Sequence, residues 1–131
     1  MSKTNSKAIQ LTPLEEELMT ILWNNGPGTV HDVIAHLPSN RQLAYTSIST
    51  ILRILEKKNI LISKKSGRSH VYVPKVTLET YTQKTVNKII KQSFAGKPLA
   101  LANYLLDNYK LTSSEIDELE TLIKEKLGQQ S

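Results

Sequence analysis

The sequence predicts a mostly α-helical chain with one small β-hairpin, divided into an N-terminal domain over residues 8–75 and a purely helical domain over 76–128. Three observations carry this. Apolar residues recur at helical spacing in three short N-terminal segments and in three C-terminal ones. Between Asn59 and Pro74 the pattern changes to strand, turn and strand. Good capping residues stand before four of the six helices: Thr12, Thr29, Thr77 and Thr112.

The first helix opens at Leu11-Thr12-Pro13-Leu14-Glu15, where Thr12 suits the N-cap, Pro13 the first helical position and Glu15 the capping box. Leu14, Leu18, Ile21 and Leu22 form its apolar stripe, and Trp23 is expected to anchor packing. Asn24-Asn25-Gly26-Pro27-Gly28 is turn chemistry. A second helix, capped by Thr29 with Asp32 as a helix-start acid, carries Val30, Val33, Ile34 and Leu37 and stops at Pro38. The third spans Ala44 to Leu55, and Asn59 is placed to end it with a left-handed cap. Ile60–Lys65 and His70–Pro74 then read as strands joined by Ser66-Gly67-Arg68-Ser69.

The third helix is unlike the others. At about 100° per residue, Ile48, Ile51, Leu52 and Leu55 share one face, while Thr46, Ser49, Thr50 and Arg53 are expected on the opposite one. Exposed helix positions usually carry Lys, Glu or Gln, so a face of short hydroxyls is unusual. A helix entering a DNA major groove needs short side chains, hydroxyls for phosphates and base edges, and a forked donor such as Arg53. A solvated face that happens to be rich in Ser and Thr is the alternative. Charge favours the first. The 131-residue chain has net charge +5, yet residues 41–75 hold eight basic groups (Arg41, Arg53, Lys57, Lys58, Lys64, Lys65, Arg68 and Lys75) against Glu56, while the flanking segments carry no excess. Such a local basic field marks a polyanion binder. Three helices followed by a basic-tipped hairpin give the element order of a winged helix-turn-helix domain.

The residues Leu11-Thr12, Glu15, Glu17, Met19 and Ile21-Leu22-Trp23, then Ala44-Tyr45-Thr46, Leu52, Leu55, Lys57-Lys58 and Ile60-Leu61, resemble the signature of the penicillinase repressor family. The resemblance spans roughly residues 9 to 127 and is most specific in the opening L-T-x-x-E-x-E-x-M-x-x-L-W. It implies a bacterial winged-helix repressor that binds a palindromic operator as a homodimer. Carried over by position, Tyr45, Thr46, Ser47, Ser49, Thr50 and Arg53 would face double-stranded DNA, with Lys64, Lys65 and Arg68 on the wing. Leu43 departs from the family's usual Trp before the central helix. The family's copper-sensing branch carries cysteine pairs, and this chain has no cysteine.

Beyond the hairpin, Leu78, Tyr81, Val86, Ile89 and Ile90 mark a helix that Ala95-Gly96-Lys97-Pro98 interrupts. Leu99, Leu101, Ala102, Leu105 and Leu106 mark the next, and Ile116, Leu119, Ile123 and Leu127 the last, which opens with a Thr112–Glu115 capping box. Short helices of this kind are marginal alone in water, so Leu105, Ile116, Leu119 and Ile123 are expected to be covered by a second copy of the chain. The family's β-lactam branch implies a membrane-bound sensor protease that cuts between an Asn and an aromatic residue in these helices. Asn103-Tyr104 stands near that place, although Tyr replaces Phe and the spacing to Leu111 is one residue longer.

No apolar run approaches the ~20 residues of a membrane helix, so a cytoplasmic protein without membrane insertion is expected. His31 and His36 do not share a helix face and His70 lies in the hairpin, so neither a metal nor a cofactor is expected. No nucleophile and base stand together, which reads as a non-enzyme. The competing class is a winged-helix interaction module that docks an acidic protein or RNA, but such a face should display larger aromatic anchors.

Overall fold

The computed structural model describes residues 9–130. The helices are α1 (Pro13–Asn25), α2 (Val30–Ala35), α3 (Tyr45–Lys57), α4 (Leu78–Ser93), α5 (Pro98–Asn108) and α6 (Ser113–Gln130). Strands β1 (Leu61–Ser66) and β2 (Ser69–Pro74) pair antiparallel between α3 and α4. The chain separates into two compact units between Asn87 and Lys88, inside α4.

In the first unit the caps act as their sequences require. The Thr12 hydroxyl accepts from Glu15 N while the Glu15 carboxylate accepts from Thr12 N at 2.8 Å, and Thr29 and Asp32 repeat the arrangement at α2. Gly26 ends α1 at φ 88° and ψ 178°, a conformation open essentially to glycine alone. Asn59 ends α3 at φ 65°, with Asn59 N donating to Glu56 O and Ile60 N to Leu55 O, both at 3.0 Å. This is a Schellman motif, and its flanking Leu55 and Ile60 are both buried.

The periodic residues of α1, α2 and α3 meet in one core. Leu18, Met19 and Leu22 pack with Val30, Val33, Ile48, Leu52 and Leu55, and the hairpin closes the end of this core with Leu61 and Tyr72. Replacing a buried leucine such as Leu52 by alanine typically costs about 2–5 kcal/mol in such a setting. Ile34 and Leu37 pack at the margin, because α2 ends at Ala35 before Pro38. Trp23 is the packing anchor the sequence suggests: its indole N–H donates to Val76 O at 2.9 Å, and its ring lies against Tyr81 at 5.1 Å. The Tyr81 hydroxyl in turn bonds Glu16. These contacts hold the first turns of α4 in the N-terminal unit, although the sequence pattern assigns them to the helical domain.

The second unit is different in kind. Among its described residues, none is buried. Ile89, Leu105, Leu106, Ile116, Leu119, Ile123 and Leu127 are all exposed, Leu99 is 72% exposed and Tyr109 61%. Its local signals are nevertheless in place. Ala95 and Gly96, at φ 53° and 75°, separate α4 from α5, and Thr112 and Glu115 form the capping pair before α6. No helix is long and apolar enough to cross a membrane among the described residues.

Candidate nucleic-acid interface

Helix α3 divides by side chain as its 100° steps dictate, with one exception. Ile48, Leu52 and Leu55 are buried, while Thr46, Ser47, Thr50 and Arg53 are exposed. Ser49, placed on the exposed face by the sequence reading, is buried. It lies one step from Ile48, on the flank that the hairpin and α2 cover, together with Tyr45 and Glu56. Ser47 and the exposed Ile54 occupy the other flank. The outward face is therefore narrower than expected and centred on Thr46, Thr50 and Arg53. The Thr50 hydroxyl donates to Thr46 O at 2.8 Å, which leaves its oxygen lone pairs free to accept.

Register fixes the wing. Ser63 pairs with Tyr72, Lys64 with Val71 and Lys65 with His70. Directly paired residues share a face of a hairpin, and successive residues alternate. Buried Leu61 and Tyr72, with the 2.6 Å bond from Ser63 Oγ to Glu56 Oε2, identify the face turned to α3. Lys65 and His70 thus share the face of α3, and Lys64 lies on the opposite one with Val71. The sequence could not distinguish the two lysines, because register depends on where the turn falls. It falls at Gly67, whose φ of 62° sets Arg68 at the tip.

Between α3, the start of α2 and the wing lies a cleft of about 460 Å³, bordered by His31, Tyr45, Arg53, Glu56, Arg68 and His70 among others. The His31 and Tyr45 rings meet at 4.8 Å between centroids, tilted by 44°. Burial pushes the Tyr72 hydroxyl above its ordinary range, the Glu56 charge adds to this, and hydrogen-bonding contact with Arg53 draws it back. Ser63 thus holds Glu56 in the cleft wall, a role that its position in an ordinary strand pattern did not signal.

Two of the eight basic residues in the 41–75 segment are already engaged. Arg41 grips Glu17 with two bonds, Nη2 to Oε1 at 2.8 Å and Nε to Oε2 at 3.0 Å, which holds the Glu17 carboxyl below its ordinary range and the guanidinium above its own. Lys58 donates to both oxygens of Glu15 at 2.8 and 2.9 Å. Burial alone would raise the Glu15 carboxyl, but Lys58 and the Thr12 N–H outweigh it and the net direction is downward. These partners are 24 and 43 residues apart in sequence, beyond the reach of local pattern. The remaining positive charge lies on Arg53, Lys57, Lys64, Lys65, Arg68 and Lys75, with Arg53 and Arg68 bordering the same cleft.

Of the other residues singled out, Leu105, Ile116, Leu119 and Ile123 are exposed in the second unit. Asn103 and Tyr104 lie in the interior of α5, with the Tyr104 ring edge-on to Phe94 at 5.6 Å and the Tyr104 carbonyl accepting from Asn108 Nδ2 at 2.8 Å.

Comparison with known proteins places this architecture. The solved structure of a MarR family protein from Bacillus stearothermophilus aligns over 93% of this chain and 76% of its own, with TM-score 0.52 at 15% identity, which shows a shared fold. The solution structure of monomeric Bacillus licheniformis BlaI in complex with the blaP half-operator is 31% identical over 57% of this chain and 92% of its own, with TM-score 0.48. A penicillinase repressor from Bacillus licheniformis is 27% identical over 119 residues, covering 91% of this chain and 93% of that one. The model of the family described as "Penicillinase repressor" matches residues 11–125, and the chain belongs to that family of transcriptional repressors.

Proposed function

We propose that this repressor binds a palindromic operator as a homodimer, with α3 of each copy in a major groove and the hairpin against the sugar-phosphate backbone. The observation that carries the reading is the narrow exposed face of Thr46, Thr50 and Arg53, continuous with a cleft that Arg53 shares with Arg68. Arg53 is the fork for a base edge, Thr46, Ser47 and Thr50 supply hydroxyls, and Lys64, Lys65 and Arg68 meet phosphates. Residues 8–75 form the DNA-binding domain and 76–128 the dimerisation domain. The uncovered apolar side chains of α5 and α6, Leu105, Ile116, Leu119 and Ile123 among them, support a dimerising role for the C-terminal helices. A second copy of the same surface is the economical cover, as in most symmetric oligomers.

Relief of repression by a membrane-bound sensor protease cutting Asn103-Tyr104 belongs to the same proposal. A cut there would separate α6 from the winged unit and end the gain in effective concentration that linking two half-sites provides. Because the bond is helical, α5 must unwind locally before it enters an active site. Mass spectrometry of the protein from induced cells tests this: an intact chain during derepression excludes cleavage.

Footprinting of the purified chain on DNA upstream of its own gene tests the binding reading. Protection of two half-sites about one helical turn apart is expected. Arg53→Ala should cost about 1–3 kcal/mol and relax one operator position. Absence of any footprint, or full-strength binding by Arg53→Ala, contradicts the assignment.

A further inference from the structure

The cleft between α3 and the wing holds two of the chain's three histidines, and nothing described so far uses them. His31, at the start of α2, is exposed and lies against Tyr45, the first residue of α3, with the rings tilted by 44°. His70 is exposed on β2, opposite Lys65, on the hairpin face turned to α3. Arg53 and Arg68 border the same space.

We infer that His31 and His70 are proton-linked phosphate contacts, so that DNA binding takes up protons and affinity rises as pH falls from 8 to 6. The inference rests on the DNA-binding reading above. A strand held by Arg53 and Arg68 brings its phosphates into the cleft that both imidazoles border. Two carboxylates lie near and keep their charge while hydrogen-bonded, Asp32 within coulombic reach of His31. Glu56, the carboxylate in the lining, accepts the Ser63 hydroxyl, and Asp32, beside His31, is turned back to the Thr29 N–H at 2.9 Å. The other titratable groups facing the histidines are Tyr45 and Tyr72 from α3 and β2, and the cations Lys65, Arg53 and Arg68. A bound phosphate adds a negative charge beside both imidazoles and favours their charged form in the complex.

The sign follows from linkage. The charged imidazole is favoured more in the complex than in the free chain, so affinity gains as pH falls through the range where histidine titrates, near pH 6.5 in water. One phosphate at contact distance is worth at least about tenfold in proton affinity. About sixfold of that is realised between pH 8 and 6 for each imidazole, and roughly 30-fold for the pair in one half-site.

The test uses the full chain and a duplex selected by it from a random pool, titrated at constant salt between pH 8 and 6. Wild type should tighten by roughly 30-fold per half-site engaged, on the order of 1000-fold in a two-fold complex, across that range. His31→Gln with His70→Gln should flatten the profile. His36→Gln should leave the profile intact, since His36 faces away from the cleft and its Nδ1 sits 2.9 Å from Asp32 O. Calorimetry in two buffers of different ionisation enthalpy should register proton uptake that the double variant lacks. Tight binding with a flat wild-type profile, or a slope that survives in the double variant, overturns the inference and leaves the DNA-binding reading standing. Recovery of no duplex at any pH overturns both.

Discussion

Arg68→Ala is the change whose effect follows most directly from the charge geometry. Arg68 sits at the wing tip after Gly67 and borders the cleft with Arg53. Arg41, equally basic and in the same segment, is held by two bonds to Glu17. Each phosphate neutralised adds about 0.9 to the slope of log affinity against log salt. At 0.1 M salt that equals about 0.9 of a decade, or ~1.2 kcal/mol, per contact. Arg68→Ala should therefore weaken binding about eightfold per half-site, and about 60-fold (~2.5 kcal/mol) in a two-fold complex, with the slope flatter by about 1.8. The loss should be the same on operator and on unrelated duplex. Arg41→Ala, whose charge is already met by a carboxylate, should change the slope by less than about 0.5. Anisotropy titrations of labelled duplex between about 50 and 200 mM salt read both quantities. An unchanged slope for Arg68→Ala, or equal flattening by Arg41→Ala, would refute the division of the cations into engaged and available.

Lys58→Met leaves the Glu15 carboxylate, only 6% exposed, without its cation; because Lys58 is itself 40% exposed, solvent moderates the loss to about 1–2 kcal/mol, measurable by urea unfolding followed through Trp23. A change below about 0.5 kcal/mol would mean that the pair is fully screened. The Glu15 and Glu17 carboxyls are held lower in the folded chain than the ordinary value of 4.5, so their stabilisation is complete above that value and is lost as pH falls through the folded one. Stability should accordingly hold from pH 7 to about 5.5 and decline below, with Glu15→Gln blunting the decline; an acid limb unaltered by that change would contradict it. Leu119→Asp places a charge on the exposed stripe of α6 and should convert the proposed dimer to monomer in sedimentation, whereas an undisturbed dimer would move the interface elsewhere.

Local chemistry was the most legible part of the sequence. The capping boxes at Thr12 and Thr112, the cap at Thr29, the left-handed Asn59 and the buried stripe of α3 each depend on residues within a few positions of one another, and the structure contains all of them. What the sequence misplaced, as at Ser49, or left open depends on distant segments. Ser49 is buried because the wing and α2 cover its flank of α3, and which of the adjacent Lys64 and Lys65 faces α3 is fixed only by the ladder register. The first turns of α4 join the N-terminal unit through Tyr81, which meets Trp23 and Glu16 across more than fifty residues. Periodicity reports which side of an element is apolar, but not which neighbour covers each flank.

The short bridge between Gly28 and Tyr72, Tyr72 N to Gly28 O at 2.8 Å and Gly28 N to Tyr72 O at 3.1 Å, gives β2 a neighbour on both sides. Among the described residues, the outer edge of β1 has no strand beside it, and it carries Lys64 and Lys65. Charged edge strands resist adding foreign strands, so the lysines that suit the wing to phosphate also keep the hairpin from templating aggregation. Gly28 is where this protection meets the start of α2. A Cβ there would stand 2.9 Å from Cβ of Asp32, the residue that closes the α2 cap, so any side chain would disturb the sheet edge and the helix start together.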